Sequence, residues 1–294
     1  MARTRTIAGC DGLISIPPTL RRSHTVSSPH SRRILTHTRY NEESCMTQTH
    51  TLSVQGHTIQ CLHSPSSGPP VILLHGAGGN AETWRPLLSA WSWADTWCLD
   101  LPGRCGNPGP AMENTEAIAS WLQEVIQESG LHKPIVVGHS FGGALALTLG
   151  LRAPSLVGGI VMVSSGARLR VSPLILESVA SASEDEPLDF RFAFGEDTPD
   201  ETVEAYQVTA NKTPNQTTLA DWQACNTFDV REELGALKPR LLIAHGTEDV
   251  LTPPKFQMYL EAQVEGSERF ACEAGHMLPW EASTALADAV QAWI

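Results

Sequence analysis

The sequence of 294 residues lacks the features that mark membrane-spanning, nucleic-acid-binding and metal-dependent proteins. No apolar run reaches the ~18–20 residues that span a bilayer. Only 20 basic residues face 32 acidic ones, and the formal net charge of −12 argues against nucleic acid and anionic membranes as partners. There is no H-E-x-x-H motif, no His/Cys cluster at ligand spacing and no phosphate-binding glycine motif. We therefore expect no metal and no cofactor.

The seven cysteines are scattered, odd in number and without a C-x-x-C pair. This usage is typical of reduced thiols, so we expect a cytoplasmic protein. Residues 1–45 differ from the rest, because seven arginines stand against three acidic residues and no continuous apolar stretch occurs. They resemble either a transit peptide or translated upstream sequence before a natural start at Met46, and we favour the second. Either reading predicts a disordered leader without a catalytic role.

Strand and helix patterns alternate through most of the remaining chain, which predicts an α/β fold: one mostly parallel sheet of about eight strands with helices on both faces. The alternation stops between about residues 168 and 238. Short helical patterns separated by prolines occupy that stretch, at 173–182, 199–210 and 216–225. We therefore predict a core formed by residues 46–167 and 239–294, with an inserted helical cap at 168–238.

The most informative stretch is GHSFG at residues 138–142, between an apolar strand and a helical pattern. A G-x-S-x-G at such a junction is a sharp turn that presents the serine hydroxyl to a cleft. Two candidate partners follow in the chain. Asp249 ends the turn after the strand at 241–245, and His276 lies in the loop after the strand at 268–272. Glu248 is the alternative acid. In this reading Ser140 is the nucleophile, His276 its base, and Asp249 the residue that orients the histidine.

With these residues in view, the chain from Val71 onward resembles the α/β-hydrolase superfamily. Four collinear segments carry the resemblance: HGAGG at 75–79, DLPGRCG at 100–106, GHSFGG at 138–143, and the Asp249 and His276 turns. Within the superfamily the chain is similar to the small capped esterases, lactonases and carbon–carbon bond hydrolases. The resemblance implies an oxyanion hole formed by the backbone N–H groups of Ala77 and Phe141.

The resulting hypothesis is a serine hydrolase that cleaves a small uncharged carboxylic ester or lactone through an acyl-enzyme on Ser140. We expect apolar residues to wall the pocket: Leu174, Phe190, Phe192, Met277 and Trp280. Arg104 and Arg168 are the cations that could reach in from neighbouring loops to a substrate carboxylate. His139 is expected to point away from the site. The sequence does not determine the oligomeric state.

Two alternatives stay open. The first is a carbon–carbon bond hydrolase of the same fold. Relatives with that activity usually carry tryptophan directly after the catalytic histidine, whereas Met277 stands there in this chain. The second is a non-catalytic receptor that binds a small ligand while keeping the three site residues.

Overall fold

The computed structural model describes residues 13–14, 47–54, 56–107, 109–183 and 185–294. Its strands, in chain order, are β1 (Leu13–Ile14), β2 (Gln48–Val54), β3 (His57–Ser64), β4 (Pro70–Leu74), β5 (Asp95–Leu99), β6 (Ile135–His139), β7 (Gly159–Val163), β8 (Arg170–Val171), β9 (Leu241–Gly246) and β10 (Glu268–Cys272). Eight of them form one sheet in the order β10-β9-β7-β6-β4-β5-β3-β2. The β2–β3 and β3–β5 pairs are antiparallel and all the others are parallel. The predicted mostly parallel eight-stranded sheet is confirmed.

Helices cover both faces of this sheet. They are α1 (Arg85–Ser89), α2 (Thr115–Ser129), α3 (Phe141–Arg152), α4 (Pro173–Ser181), α5 (Asp200–Ala210), α6 (Asn215–Thr227), α7 (Pro254–Gln263), α8 (Leu278–Glu281) and α9 (Ser283–Trp293). Alternate residues of a strand point to opposite faces. Accordingly, Ile72 and Leu74 share a buried cluster with side chains of α2 and α3, whereas Val71 and Leu73 share one with α1 and α9. Each strand near the centre is therefore buried on both sides, which is why it reads as an uninterrupted apolar run.

Three helices, α4, α5 and α6, lie between β7 and β9 and correspond to the three helical patterns predicted there. Pro173 occupies the first turn of α4, where its missing N–H costs no hydrogen bond. The aromatic residues Phe190, Phe192 and Phe194 are buried in the loop between α4 and α5. We call residues 168–238 the inserted segment.

Two residues of the predicted leader lie within the described part of the chain. Leu13 and Ile14 form β1, which runs parallel to Arg170 and Val171 of β8. Strand β8 lies outside the main sheet, and the N–H of its Val171 donates to Asn226 Oδ1 (3.0 Å). The rest of residues 1–45, and the proposed start at Met46, lie outside the described residues. Among the helices within the described ranges, none is both long and apolar enough to cross a membrane.

Candidate active site

Ser140 occupies a strained turn between β6 and α3. Its backbone has φ 52° and ψ −113°, a region that non-glycine residues rarely adopt. The turn is held by the Ser140 N–H, which donates to the Val163 carbonyl (2.8 Å), and by the Ser165 hydroxyl, which donates to the Ser140 carbonyl (2.7 Å). A Cβ atom at Gly142 would lie 2.0 Å from the Leu74 carbonyl oxygen. Glycine is required there because the turn packs directly against the neighbouring strand.

His276 and Asp249 form a buried pair. The His276 Nδ1–H donates to Asp249 Oδ2 (2.9 Å) and Oδ1 (3.1 Å), and the two residues are 4% and 2% exposed. Asp249 also accepts from the N–H groups of Leu251 and Thr252 and from the Thr252 hydroxyl (2.7 Å). Burial raises the pKa of Asp249, but the His276 charge and these hydrogen bonds outweigh it and leave that pKa below its ordinary value. Asp249 is therefore an anionic partner of His276, whereas Glu248 is exposed.

Ser140 and His276 line the same cavity. The sequence predicts a hydrogen bond between the Ser140 hydroxyl and a ring nitrogen of His276. Within the described part of the chain this bond is not formed, because the ring hydrogen bonds of His276 all involve Nδ1. Such contacts are often long or poorly aligned without substrate and shorten when it binds. The Nε2 atom of His276 thus has no hydrogen-bond partner among the described residues, so it is available to accept a proton.

His139 contradicts the expectation that it points away. Its Nε2 lies 2.9 Å from the His276 carbonyl oxygen, and the two rings are 5.0 Å apart. Burial, followed by the charge of His276, lowers the pKa of His139 to about 3, so the ring is neutral and donates its Nε2–H to that carbonyl. A Cβ atom at Gly76 would lie 2.9 Å from His139 Nδ1, so glycine leaves room for the ring. The contact spans 137 residues of sequence, and no local pattern indicates it.

Two backbone N–H groups are free to bind a ligand. In the described chain, neither the Ala77 nor the Phe141 N–H donates to any protein atom. Ala77 lines the cavity beside Ser140, and Phe141 opens α3, whose N-terminus favours negative charge. The next N–H of the loop, that of Gly78, is instead held by Asp221 Oδ2 (2.9 Å). The predicted oxyanion donors thus have no protein partner, whereas the neighbouring donor is tied to the inserted segment.

Arg104 does not reach into the cavity as a free cation. It forms a bidentate ion pair with Asp221 of α6, with Nη2–Oδ1 2.8 Å and Nη1–Oδ2 3.0 Å, and both side chains are almost fully buried. Its Nη1 also donates to the Gly79 carbonyl (3.2 Å). Arg168 lies 3.6 Å from Asp229 and is partly exposed. The expectation that either arginine is available to a substrate carboxylate is therefore wrong, because a carboxylate of the inserted segment already neutralises each.

The inserted segment is tied to the His276 loop as well. The His276 N–H donates to the Ala193 carbonyl (3.0 Å). Glu281 of α8 accepts through Oε2 from the Gly195 N–H (2.9 Å), the Gly275 N–H (3.0 Å) and the Thr198 hydroxyl (2.8 Å). One carboxylate oxygen thus joins the loop that carries the histidine to the loop that carries the three phenylalanines.

The cavity at Ser140 has about 300 Å³ of empty space, part of it open to solvent. The part of this space that a water-sized sphere can occupy is only about 20 Å³, so the cavity is narrow between its walls. Of the predicted wall residues, Phe190, Phe192 and Met277 line it, and Trp280 lines a second cavity of about 230 Å³ beside it. Leu174 lines neither and is 51% exposed on α4, so that prediction is wrong. The sequence does not predict several of the other wall residues, of which the largest apolar ones are Tyr206, Trp222 and Leu251.

No group of three or more His, Cys, Asp or Glu residues within the described ranges could hold a metal ion. A hydroxyl on a strained turn, an imidazole fixed by a buried carboxylate and two free N–H groups are the parts that acyl transfer requires.

Comparison with known proteins identifies the family of the chain. A sequence model described as the alpha/beta hydrolase family matches residues 71–289. Carboxylesterase YbfK of Bacillus subtilis is 33% identical over 112 residues, which cover 37% of this chain and 38% of YbfK. Esterase Rv0045c of Mycobacterium tuberculosis is 37% identical over 117 residues, 37% of each chain. The chain thus spans well under half the length of these curated relatives.

Solved structures match over a much larger part of the chain. The enol-lactonase of Burkholderia xenovorans LB400 superposes with a TM-score of 0.74 at 16% identity, covering 83% of this chain and 99% of the lactonase. The YbfK carboxylesterase gives a TM-score of 0.70 at 22% identity and covers 84% and 90%. A thermophilic esterase is 28% identical with a TM-score of 0.73, covering 84% and 97%. At identities under 25% the likeness concerns the fold alone.

Proposed function

Because the chain belongs to the alpha/beta hydrolase family, we propose that it is a serine esterase that hydrolyses small uncharged carboxylic esters or lactones. The proposal rests on the groups that line one cavity. It holds Ser140 on its strained turn, the ring of His276 held by buried Asp249, and Ala77 on the loop that supplies a free N–H. The named relatives, a carboxylesterase and an esterase, support the same class of substrate.

In the proposed mechanism the Ser140 oxygen attacks the ester carbonyl while His276 Nε2 takes the hydroxyl proton. The negative charge that develops on the carbonyl oxygen is stabilised by the N–H groups of Ala77 and Phe141. His276 then protonates the leaving alcohol, and the acyl group stays on Ser140. A water molecule then attacks the carbonyl carbon of this ester while His276 takes one of its protons. The bond from that carbon to the Ser140 oxygen breaks, His276 returns the proton to the serine oxygen, and the carboxylic acid is released. Asp249 holds the Nδ1–H throughout and stabilises the charged imidazole.

The preference for uncharged substrates follows from the charges around the cavity. Arg104 and Arg168 are paired with Asp221 and Asp229, so neither offers an unneutralised positive charge to a substrate carboxylate. Phe190, Phe192 and Met277 provide apolar walls. We propose that the inserted segment, residues 168–238, acts as a cap, because it supplies the largest apolar side chains of the cavity wall: Phe190, Phe192, Tyr206 and Trp222.

Turnover of p-nitrophenyl acetate and butyrate by the wild type and by Ser140→Ala tests the proposal. We expect the substitution to lower kcat by several orders of magnitude with unchanged melting temperature, because it removes the attacking oxygen alone. Ser120→Ala is the matched control, since Ser120 is exposed on α2 and bonds only its own helix. A folded wild type that binds these esters without hydrolysing them would support the receptor alternative instead.

A further inference from the structure

Tyr206 is the residue of the inserted segment that stands between the two cavities. It projects from α5 and lines both the cavity at Ser140 and the adjoining one bounded by Trp84 and Trp280. The two cavities share three other wall residues, Gly76, His139 and Met277. A ligand that fills both spaces therefore passes the Tyr206 side chain. The ring packs edge-on against three aromatic rings, with distances between ring centroids of 5.3 Å to Phe190, 5.6 Å to Phe194 and 5.4 Å to Trp280.

The hydroxyl of Tyr206 has no protein partner in the described part of the chain, although the residue is only 3% exposed. Buried hydroxyl groups almost always have a partner, so an unpaired one beside a cavity points to a partner that enters the cavity. The indole nitrogens of Trp84 and Trp222 also lack partners, but protein atoms enclose both of them completely. Tyr206 differs from both in lining the two cavities at once, so its side chain borders the whole space that a ligand would occupy.

Other side-chain donors at these walls are already engaged. Thr83 donates its hydroxyl to the Asn80 carbonyl (2.6 Å), Trp280 donates its indole N–H to the Thr83 carbonyl (2.7 Å), and His139 donates to the His276 carbonyl. Burial raises the pKa of Tyr206 well above its ordinary value, so its hydroxyl keeps its proton and donates at every working pH. Among the described wall residues, and apart from the reacting groups, the Tyr206 hydroxyl is thus a side-chain donor without a protein partner.

We propose that the Tyr206 hydroxyl donates a hydrogen bond to an oxygen atom in the part of the substrate that is not hydrolysed. The inference rests on the proposed esterase function and narrows it. The preferred substrates are uncharged esters or lactones that carry one further ether, hydroxyl or carbonyl oxygen beyond the scissile ester. A purely hydrocarbon chain of the same shape leaves the hydroxyl unpaired in the complex, and the site discriminates against it.

Two pairs of esters test this, each pair differing by one oxygen in place of a methylene group. p-Nitrophenyl methoxyacetate and p-nitrophenyl butyrate place the difference in the acyl group. Methoxyethyl acetate and butyl acetate place it in the alcohol. The ratio of kcat/KM within each pair is measured for the wild type, for Tyr206→Phe and for the control Tyr259→Phe on α7. Comparing the same two esters between enzymes cancels their intrinsic reactivities.

For one of the two pairs, we expect Tyr206→Phe to lower the ratio of kcat/KM for the oxygen-containing ester to kcat/KM for the hydrocarbon ester by about tenfold. A loss of about this size corresponds to one buried neutral hydrogen bond. The pair that responds tells whether the extra oxygen belongs to the acyl or the alcohol half. Tyr259→Phe should leave both ratios unchanged. Equal losses on both members of both pairs would overturn the proposal and leave Tyr206 a packing residue.

If Tyr206→Phe does not fold, the wild-type ratios are compared with those for hydrolysis of the same esters by hydroxide. A wild-type ratio at least about tenfold above the hydroxide ratio supports the proposal, and equal ratios contradict it. A folded wild type that turns over none of the four esters refutes the proposed function itself. Failure of the two proposals is therefore distinguishable.

Discussion

The sheet core and the inserted segment hold the candidate site in different ways. In the core, Ser140 is placed by backbone geometry within a few residues, since its strained turn depends on close contacts at Gly138 and Gly142. The inserted segment is held by side-chain anchors between residues far apart in sequence, notably Asp221 with Arg104 and Thr198 with Glu281. The reacting groups thus depend on the core, while the shape and polarity of the cavity depend on the segment. We expect changes in the core turns to lower turnover and changes in the anchors to lower stability.

The largest effect expected is the loss of turnover in Asp249→Asn. The substitution removes the charge that holds the His276 Nδ1–H while keeping the side-chain shape, and in comparable triads such a change lowers kcat by about 10⁴-fold. Rates are measured with p-nitrophenyl acetate, and circular dichroism checks the fold. The neighbouring Glu248→Gln should be close to the wild type, and a reversed result would make Glu248 the acid.

Asp221→Asn should instead act on stability. It leaves the buried guanidinium of Arg104 without its counterion, and breaking such a buried pair costs about 3–5 kcal/mol. Urea unfolding measures the loss. The matched control is Asp229→Asn, whose partner Arg231 is partly exposed, and it should cost at most about 1 kcal/mol. Similar losses in the two variants would show that the anchor at Asp221 does not hold the segment.

His139→Gln should make the protein less sensitive to acid. The folded-state pKa of about 3 lies below the unfolded value, so as the pH falls below about 6.5 the unfolded chain takes up the proton first and the folded state loses stability. That loss amounts to ~1.4 kcal/mol per pH unit, and the variant should lack it because glutamine does not titrate.

The measurement is the free energy of unfolding of both proteins at several values between pH 6 and pH 4. Exposed His57 provides the control, since His57→Gln should keep the wild-type slope. Parallel curves for the wild type and His139→Gln would show that His139 is not held neutral by burial.

The smallest effect is expected for Glu281→Gln. Glutamine keeps an acceptor oxygen but loses the negative charge that binds Gly195, Gly275 and Thr198, so we expect a loss of ~1–2 kcal/mol in unfolding free energy. Since the His276 loop is one of the joined parts, kcat should fall a few-fold as well. A change in kcat without any change in stability would contradict the division between core and anchors.

The sequence predicts the core better than the segment for a physical reason. Chain order and local turn chemistry identify Ser140, Asp249 and His276, because each lies in a turn or loop that follows a strand. The partner of Arg104, by contrast, is 117 residues away, and the partner of His139 is 137 residues away. The Arg104 contact is created only when α6 of the segment packs on the core, and the His139 contact only when distant strands join in one sheet. Which side chains of the segment line the cavity likewise depends on how its helices pack, so the sequence predicts Leu174 as a wall residue and does not indicate Tyr206.

The most direct test of the account is to identify the residue that becomes covalently modified. A fluorophosphonate reacts with an activated serine, which displaces fluoride and keeps the phosphonyl group. Peptide mass spectrometry of the labelled wild type should find one adduct, on Ser140, and His276→Ala should label far more slowly because its serine lacks a base. An adduct on Ser165 or another serine, or rapid ester turnover that the reagent leaves uninhibited, would contradict the account.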